Sequence, residues 1–428
     1  MKKHILILFW AIGLSLFVEA QSVVHPALDD SATSDDGQFT ITLVSKKQNF
    51  LATDATTYDS DIHSPKSVNI HPDGNKFYVN SLEGYRTVVY ESGTNQKLKV
   101  IRHKFTEADS TLWSKPSGLF EFTHYDTLLN TFSGKPVESA FSHEGRYLWV
   151  PYYRRSYDIN AQDPSAVAVI DTQADSIIRL METGPLPKMI AVSPDNRFVA
   201  ITHWGNNTVG IIDILSASPN DWHYVTCITV EKKLDLNFSL TTSVNRDVNS
   251  GLCLRGTVFT PDSRYLLVGC MGGNGGIAVI DVAMATYLGT VYGMMSNLRH
   301  LVIRNGYLYL SINKSGYVQR VPLSTFMETV ATMENRKAYL KDWENCKVGG
   351  GARTIDITPD GKYIVAACNA SSCLTVVDAQ KMTVVATIPA DSYPVGLDIS
   401  KDGKFVYTTS QGRKSGGGNC VDIFRLDY

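Results

Sequence analysis

The chain has 428 residues, 43% of them hydrophobic and 19% charged, with a formal net charge of −2. A near-neutral balance argues against wholesale nucleic-acid binding, which shows a strong basic excess. The length is too great for one ordinary domain unless the architecture is a large repeat.

At the start, Lys2 and Lys3 precede an almost wholly apolar run from Ile5 to Phe17, and Val18-Glu19-Ala20 places small residues before Gln21. This reads as an export signal over residues 1–20, cleaved before Gln21. The apolar run is shorter than the roughly 20 residues that a membrane span needs. No Cys follows it directly, so a lipoprotein anchor is not expected. The expected location is periplasmic or secreted, with no transmembrane segment left after cleavage. Losing Lys2, Lys3 and Glu19 takes the formal charge from −2 to −3.

Seven Cys lie beyond the signal, at 227, 253, 270, 346, 368, 373 and 420. Export permits disulfides, and an odd number leaves at least one thiol unpaired or paired between chains. Cys368 and Cys373 flank a short hairpin loop. They either pair across it or stay as two buried thiols. No spacing suits zinc, and no metal or cofactor is expected.

Phe39 to Val44 alternates apolar and polar residues, as a half-buried strand does. Seven copies of one pattern follow: Ser64–Tyr90, Lys135–Tyr153, Leu186–Asp213, Cys253–Asp281, Asn297–Val321, Gly349–Asp378 and Tyr393–Phe424. The sixth, GGGARTIDITPDGKYIVAACNASSCLTVVD, shows the pattern best. An alternating strand (Ile355-Asp356-Ile357) meets Pro-Asp-Gly, where Pro presets φ, Asp binds its own backbone and Gly tolerates positive φ. A second apolar strand (Tyr363–Ala367), a polar loop and a third strand (Thr375–Asp378) follow. A looser fourth strand (Val384–Pro389) completes the unit. Four short strands per unit, repeated, predict an all-β, seven-bladed β-propeller with four-stranded blades.

Predicted blades span 64–105, 134–184, 185–234, 253–293, 297–333, 349–390 and 393–426, the last joined by 39–44. The chain ends after the third strand of the last unit, so the N-terminal strand is expected to close the ring and remove the open edges. Turn anchors at Asp73, Glu144, Asp195, Asp262, Asn305, Asp360 and Asp402 are 71, 51, 67, 43, 55 and 42 residues apart. The excess falls in insertions at 106–133, 152–165, 234–250 and 334–347. Loops of that length are more often functional or mobile than plain connectors.

Cys373 to Ser410, CLTVVDAQKMTVVATIPADSYPVGLDISKDGKFVYTTS, resembles the repeat of the YVTN β-propeller family, as does THWGNNTVGIID, Thr202 to Asp213. The resemblance covers nearly all of the chain after the signal, strongly in four units and weakly in three. It implies the propeller fold. Relatives include lactonase-like enzymes, surface-layer-associated proteins and binding proteins, so it assigns no activity.

Aligned units allow a reading by columns. Six places before the turn Pro, or its equivalent, stand Lys66, Val137, Lys188, Arg255, Arg299, Arg353 and Val395. In a propeller the first strand of each blade lines the central channel, so the five bases are expected to ring one channel mouth. A focused potential of one sign concentrates ligands of the other sign, and Arg forks match carboxylate, phosphate or sulfate. The bland alternative pairs each base with a neighbouring acid. Loops of the same face add Tyr152, Tyr153, Arg154 and Arg155; His203, Trp204, Asn206 and Asn207; Asn274; Asn313 and Lys314; Arg413 and Lys414. From these, Arg154, His203, Trp204, Asn206 and Asn274 join the five bases as candidate ligand-binding residues. No catalytic residue is assigned. Asp213, Asp281 and Asp378 close third strands and read as turn formers.

Three functions compete. The first is a binding or scaffold propeller, monomeric, that engages an anionic small molecule, an acidic glycan or a protein partner. The second is a lactonase- or lyase-like enzyme, for which His203 and His300 would be the imidazoles near the funnel. The third, single-stranded nucleic acid binding, is disfavoured by the charge balance.

Overall fold

The computed structural model describes residues 23–123, 128–234, 245–246, 248–413 and 416–428. The proposed cleavage site and Lys414 lie outside the described residues. Seven sheets form the ring of a β-propeller. Their inner strands are Pro65–Ile70, Ala140–Ser142, Pro187–Val192, Leu254–Phe259, Leu298–Arg304, Ala352–Ile357 and Pro394–Ile399.

A small hydrogen-bond motif builds the turn between the first two strands of a blade. In four blades a hydroxyl two residues before the turn Asp donates to that Asp: Ser193 to Asp195, Thr260 to Asp262, Thr358 to Asp360 and Ser400 to Asp402. The same hydroxyl accepts the amide that opens the next strand, from Phe198, Tyr265, Tyr363 or Phe405. Local side-chain bonds of this kind fix a turn without tertiary help. Asp213, Asp281 and Asp378 do cap the turns that follow third strands, accepting the amides of Leu215, Met284 and Gln380.

Hydroxyls also clamp neighbouring blades together. Ser67 donates to the Val137 carbonyl, Ser311 to that of Arg353 and Thr354 to that of Val395. Close approach matters too. A Cβ on Gly396 would lie 2.8 Å from the Lys66 carbonyl oxygen, so glycine lets the last blade seat against the first.

Ring closure follows the expectation from the chain ends. Thr40–Gln48 pairs antiparallel with the C-terminal strand Cys420–Asp427. Ser31–Thr33 adds a fifth strand outside it. Under this seam Lys46 sits between Asp391 (2.5 Å) and Asp422 (3.6 Å), and His25 holds the other oxygen of Asp391.

Four blades are four-stranded as predicted; the second, fourth and seventh carry more. The segment 334–347, read as an insertion, supplies sheet. Glu344–Lys347 is the outer strand of the fifth blade, and Lys337–Tyr339 runs parallel to Thr286–Tyr292 at the edge of the fourth. The helix Leu323–Ala331 intervenes, burying Phe326 and Val330 in the core between these blades. A sequence repeat cannot show a strand delayed by a helix. Part of 106–133 likewise joins a sheet, as Phe132–Pro136 pairs within the second blade.

Cys368 and Cys373 face each other in register, both as buried free thiols. A Cβ on Gly349 would lie 3.0 and 2.8 Å from their two sulfurs, so both thiols converge on one spot. Mild treatment with a disulfide reagent is expected to join Cys368 to Cys373 before any other pair. Peptide mapping without reduction reads this as the loss of two hydrogens, and preferential modification elsewhere would refute it.

Candidate functional site

The five bases of the aligned column do meet. Lys66, Lys188, Arg255, Arg299 and Arg353 line one cavity of about 410 Å³ at a channel mouth. Leu82, Glu83, Lys135, Val137, Tyr153, Arg154, Asn245 and Gln411 complete its wall. Asn245 shows that the 234–250 insertion borders the funnel. The bases are far from freely solvated: Arg255 is 4% exposed and Lys66 6%.

Each base has a different setting. Lys66 and Arg255 share one carboxylate oxygen of Glu138, at 3.2 and 3.3 Å. Lys188 lies over the rings of Tyr153 (3.9 Å) and Trp204 (5.0 Å), contacts that stabilise a desolvated cation. Arg299 rests on the Met271 sulfur at 3.1 Å. Arg353 donates to the Tyr393 hydroxyl oxygen. The Nε of Arg299 and of Arg353 are buried without a hydrogen-bond acceptor among the described residues. Among the described residues, Glu138 is the acid that ion-pairs with Lys66 and Arg255.

Electrostatics reflect this crowding. Burial pushes Lys66 and Lys188 well below the usual lysine range, and the neighbouring cations push the same way. Burial and then Arg353 and Arg255 do the same to Arg299, and burial and Arg255 bring Arg353 down to about 10. Glu138 is also buried, which favours its neutral form, but Lys66, Arg255 and Arg353 hold it below the carboxylate norm. Glu138 lies outside the aligned column because it sits one place after Val137, in the segment that leads into the inner strand Ala140–Ser142.

The loop candidates divide. Arg154 lines the cavity, and Trp204 reaches it through Lys188. His203 does not: it is fully buried, with one ring nitrogen against the Gly184 amide and the other against Thr208. Burial takes it down to about 3, so it stays neutral. It ends a strand, and its side chain alternates into the blade. Asn206 accepts from Thr208 and is buried in its own loop. Asn274 is exposed and lies outside the cavity wall. Arg155 points the opposite way from Arg154, over Trp113, Phe122 and Phe132. Arg413 instead braces the 369–372 loop through the Asn369 and Ala370 carbonyls. His300 is also neutral, brought down to about 4 by burial, and lies 3.5 Å from the Ile355 amide that it faces.

Further along the inner strands the chemistry reverses. Asp398 accepts the Ile70 amide of the next blade at 2.6 Å. Asp356 lies 3.8 Å from Arg304. Burial and the Asp356 charge raise Asp398 to about 8. The folded chain therefore holds a proton that the unfolded chain sheds near its ordinary value, so stability falls as pH rises from about 4 to about 8. Asp398→Asn is expected to flatten this fall and to melt higher than the parent at pH 9 relative to pH 5. Parallel melting curves at both pH values would contradict it.

No family model matches the chain, and no curated protein matches it. Among solved structures it is similar to Kuenenia stuttgartiensis hydrazine synthase, with a TM-score of 0.60 over 88% of this chain and 99% of that one. The identity is 16%, so the likeness concerns the fold alone.

Proposed function

We propose that this is an exported binding propeller of the YVTN repeat type that takes an anionic ligand in the cationic funnel. One observation carries the reading: five bases, four of them buried and Arg299 half-buried, converge on one cavity, where, among the described residues, Glu138 is ion-paired to two of them. Like charges held together in a poorly solvated site raise the energy of the empty protein. A bound anion offsets that cost and fills the orphaned donors. The leader-like residues 1–20 support the exported placement. His203, buried, and His300, half-buried, the imidazoles an enzymatic reading would use, are neutral and turned to structural contacts.

The test is isothermal titration of the purified chain with a panel of anionic metabolites, acidic oligosaccharides and neutral sugars. Binding is expected only among the anions, and it should weaken with salt. The reading is wrong if replacing all five bases by neutral residues leaves every interaction of the protein intact.

A further inference from the structure

The sixth blade holds a reactive pair that the funnel does not use, the thiols of Cys368 and Cys373. We infer that this pair is a redox switch: a small disulfide oxidises it to a Cys368–Cys373 disulfide, and the new bond shifts the corner of the funnel that holds Arg353. The effect on anion affinity rests on the anion-binding reading, whereas the switch itself does not.

The thiols are placed to react with each other. Cys368 and Cys373 stand directly opposite in the neighbouring strands Tyr363–Cys368 and Cys373–Asp378, across the 369–372 loop. Both sulfurs flank one hydroxyl, Thr375 Oγ1, at 3.7 and 3.9 Å. A hydrogen bond from Cys368 holds Cys373 below the ordinary thiol value and makes it the attacking sulfur. Cys373 is also the more open of the two, 8% exposed against 0%. Its thiolate attacks an incoming disulfide R–S–S–R, forming a mixed disulfide and releasing R–S⁻. Cys368 then loses its proton and attacks the Cys373 sulfur, releasing the second R–S⁻. The protein gives up two electrons and two protons, and the oxidant leaves as two molecules of R–SH.

Two chains of contacts run from the pair to Arg353. On one side, Cys368 stands opposite Ala352, the residue before Arg353. The register shifts between Ala352 and Thr354, so Arg353 sits at an irregularity of its strand, where a side chain is readily re-aimed. The strand of Cys368 lies between Ala352–Ile357 and Cys373–Asp378. A covalent bond brings the sulfurs well inside a thiol hydrogen bond, so it draws Cys368 toward Cys373 and away from Ala352. On the other side, Ser372, which adjoins Cys373, accepts the Tyr393 amide on Oγ. Arg353 in turn donates to the Tyr393 hydroxyl oxygen. The loop between the cysteines is tied to the same corner. Its Asn369 amide donates to the Gly351 carbonyl, and those of Ala370 and Ser371 donate to Gly350.

The test compares the full chain before and after oxidation by 2-hydroxyethyl disulfide at about pH 8, where thiolates form. Peptide mapping should show the Cys368–Cys373 bond. Amide hydrogen exchange in 349–357 and 391–395 should change about fivefold or more, and dithiothreitol should reverse the change. In titrations with pyrophosphate, the reduced form should bind about fivefold or more tighter than the oxidised form. A Cys368→Ala/Cys373→Ala variant should respond to the oxidant in neither readout. Unchanged exchange in the fully oxidised chain would overturn the inference. So would equal pyrophosphate affinity of the two forms, a folded chain that resists oxidation at this pair, or a response that the double variant retains. Exchange that shifts and reverses while neither form binds any anion would leave the switch standing and sink the anion-binding reading.

Discussion

Replacing Arg299 and Arg353 together by Gln is expected to abolish anion binding, with a loss of about 100-fold or more, while raising the melting temperature of the empty protein. The two effects have one cause. Both guanidinium groups are buried, repel their neighbours and leave Nε without an acceptor. A shorter, neutral amide removes the repulsion and keeps the packing of the aliphatic stem. The gain in the empty state should be on the order of 1 kcal/mol, a rise of about 1–3 °C in a chain this long. Added salt should shrink the difference between parent and variant, since counter-ions screen the same repulsion. Differential scanning calorimetry without ligand, paired with titration, separates the outcomes. If the double variant melts lower and still binds anions, the arginines are structural members of the channel wall.

Lys46→Met is expected to be the most damaging single change outside the blade cores. Lys46 is 7% exposed and stands between Asp391 and Asp422, both fully buried, at the strand that closes the ring. Removing one partner of a buried ion-paired group strands the other charges, at a cost of about 3–5 kcal/mol. The pH dependence identifies the cause. In the parent, burial opposes ionisation of Asp391, but His25 and Lys46 hold it below its ordinary value, so its stabilisation is present at neutral pH and lost as pH falls through the folded value. Burial and the Asp391 charge raise Asp422 to about 7, so it takes a proton on folding between about 4 and about 7. Without Lys46 both carboxyls bind protons more tightly in the fold. The gap between parent and variant should therefore widen from pH 5 to pH 8. Thermal melts at these two values, with Lys46→Met/Asp422→Asn as a partial rescue, check the argument. A gap independent of pH would mean that lost packing, not charge, causes the damage.

The funnel bases were legible in the sequence because a repeat carries positional information. Aligning turn anchors places Lys66, Lys188, Arg255, Arg299 and Arg353 at equivalent points of equivalent strands, and strands of one column converge in a closed ring. The loop residues were legible only in part. Near Lys188, Trp204 was found, but His203 was misjudged because whether a residue at a strand end faces the loop or the blade depends on one step of alternation. Glu138 escaped for a related reason: it stands next to the column, and a register shift in the inner strands lets adjacent positions serve the same channel.

What the sequence determined alone is local or periodic: the Pro-Asp-Gly turns, the strand alternation, the repeat and a closing strand expected at 39–44, which the structure extends over Thr40–Gln48. These depend on residues near one another in the chain, or on a pattern repeated often enough to be read. What the tertiary structure decided is how charges separated by scores of residues balance. Glu138 serves Lys66 and Arg255, Lys46 bridges Asp391 and Asp422, and Arg299 and Arg353 are left with orphaned donors. The physical reason is that a charge's energy depends on its burial and on what lies within a few ångströms. Both are properties of the closed ring, and no single blade has them.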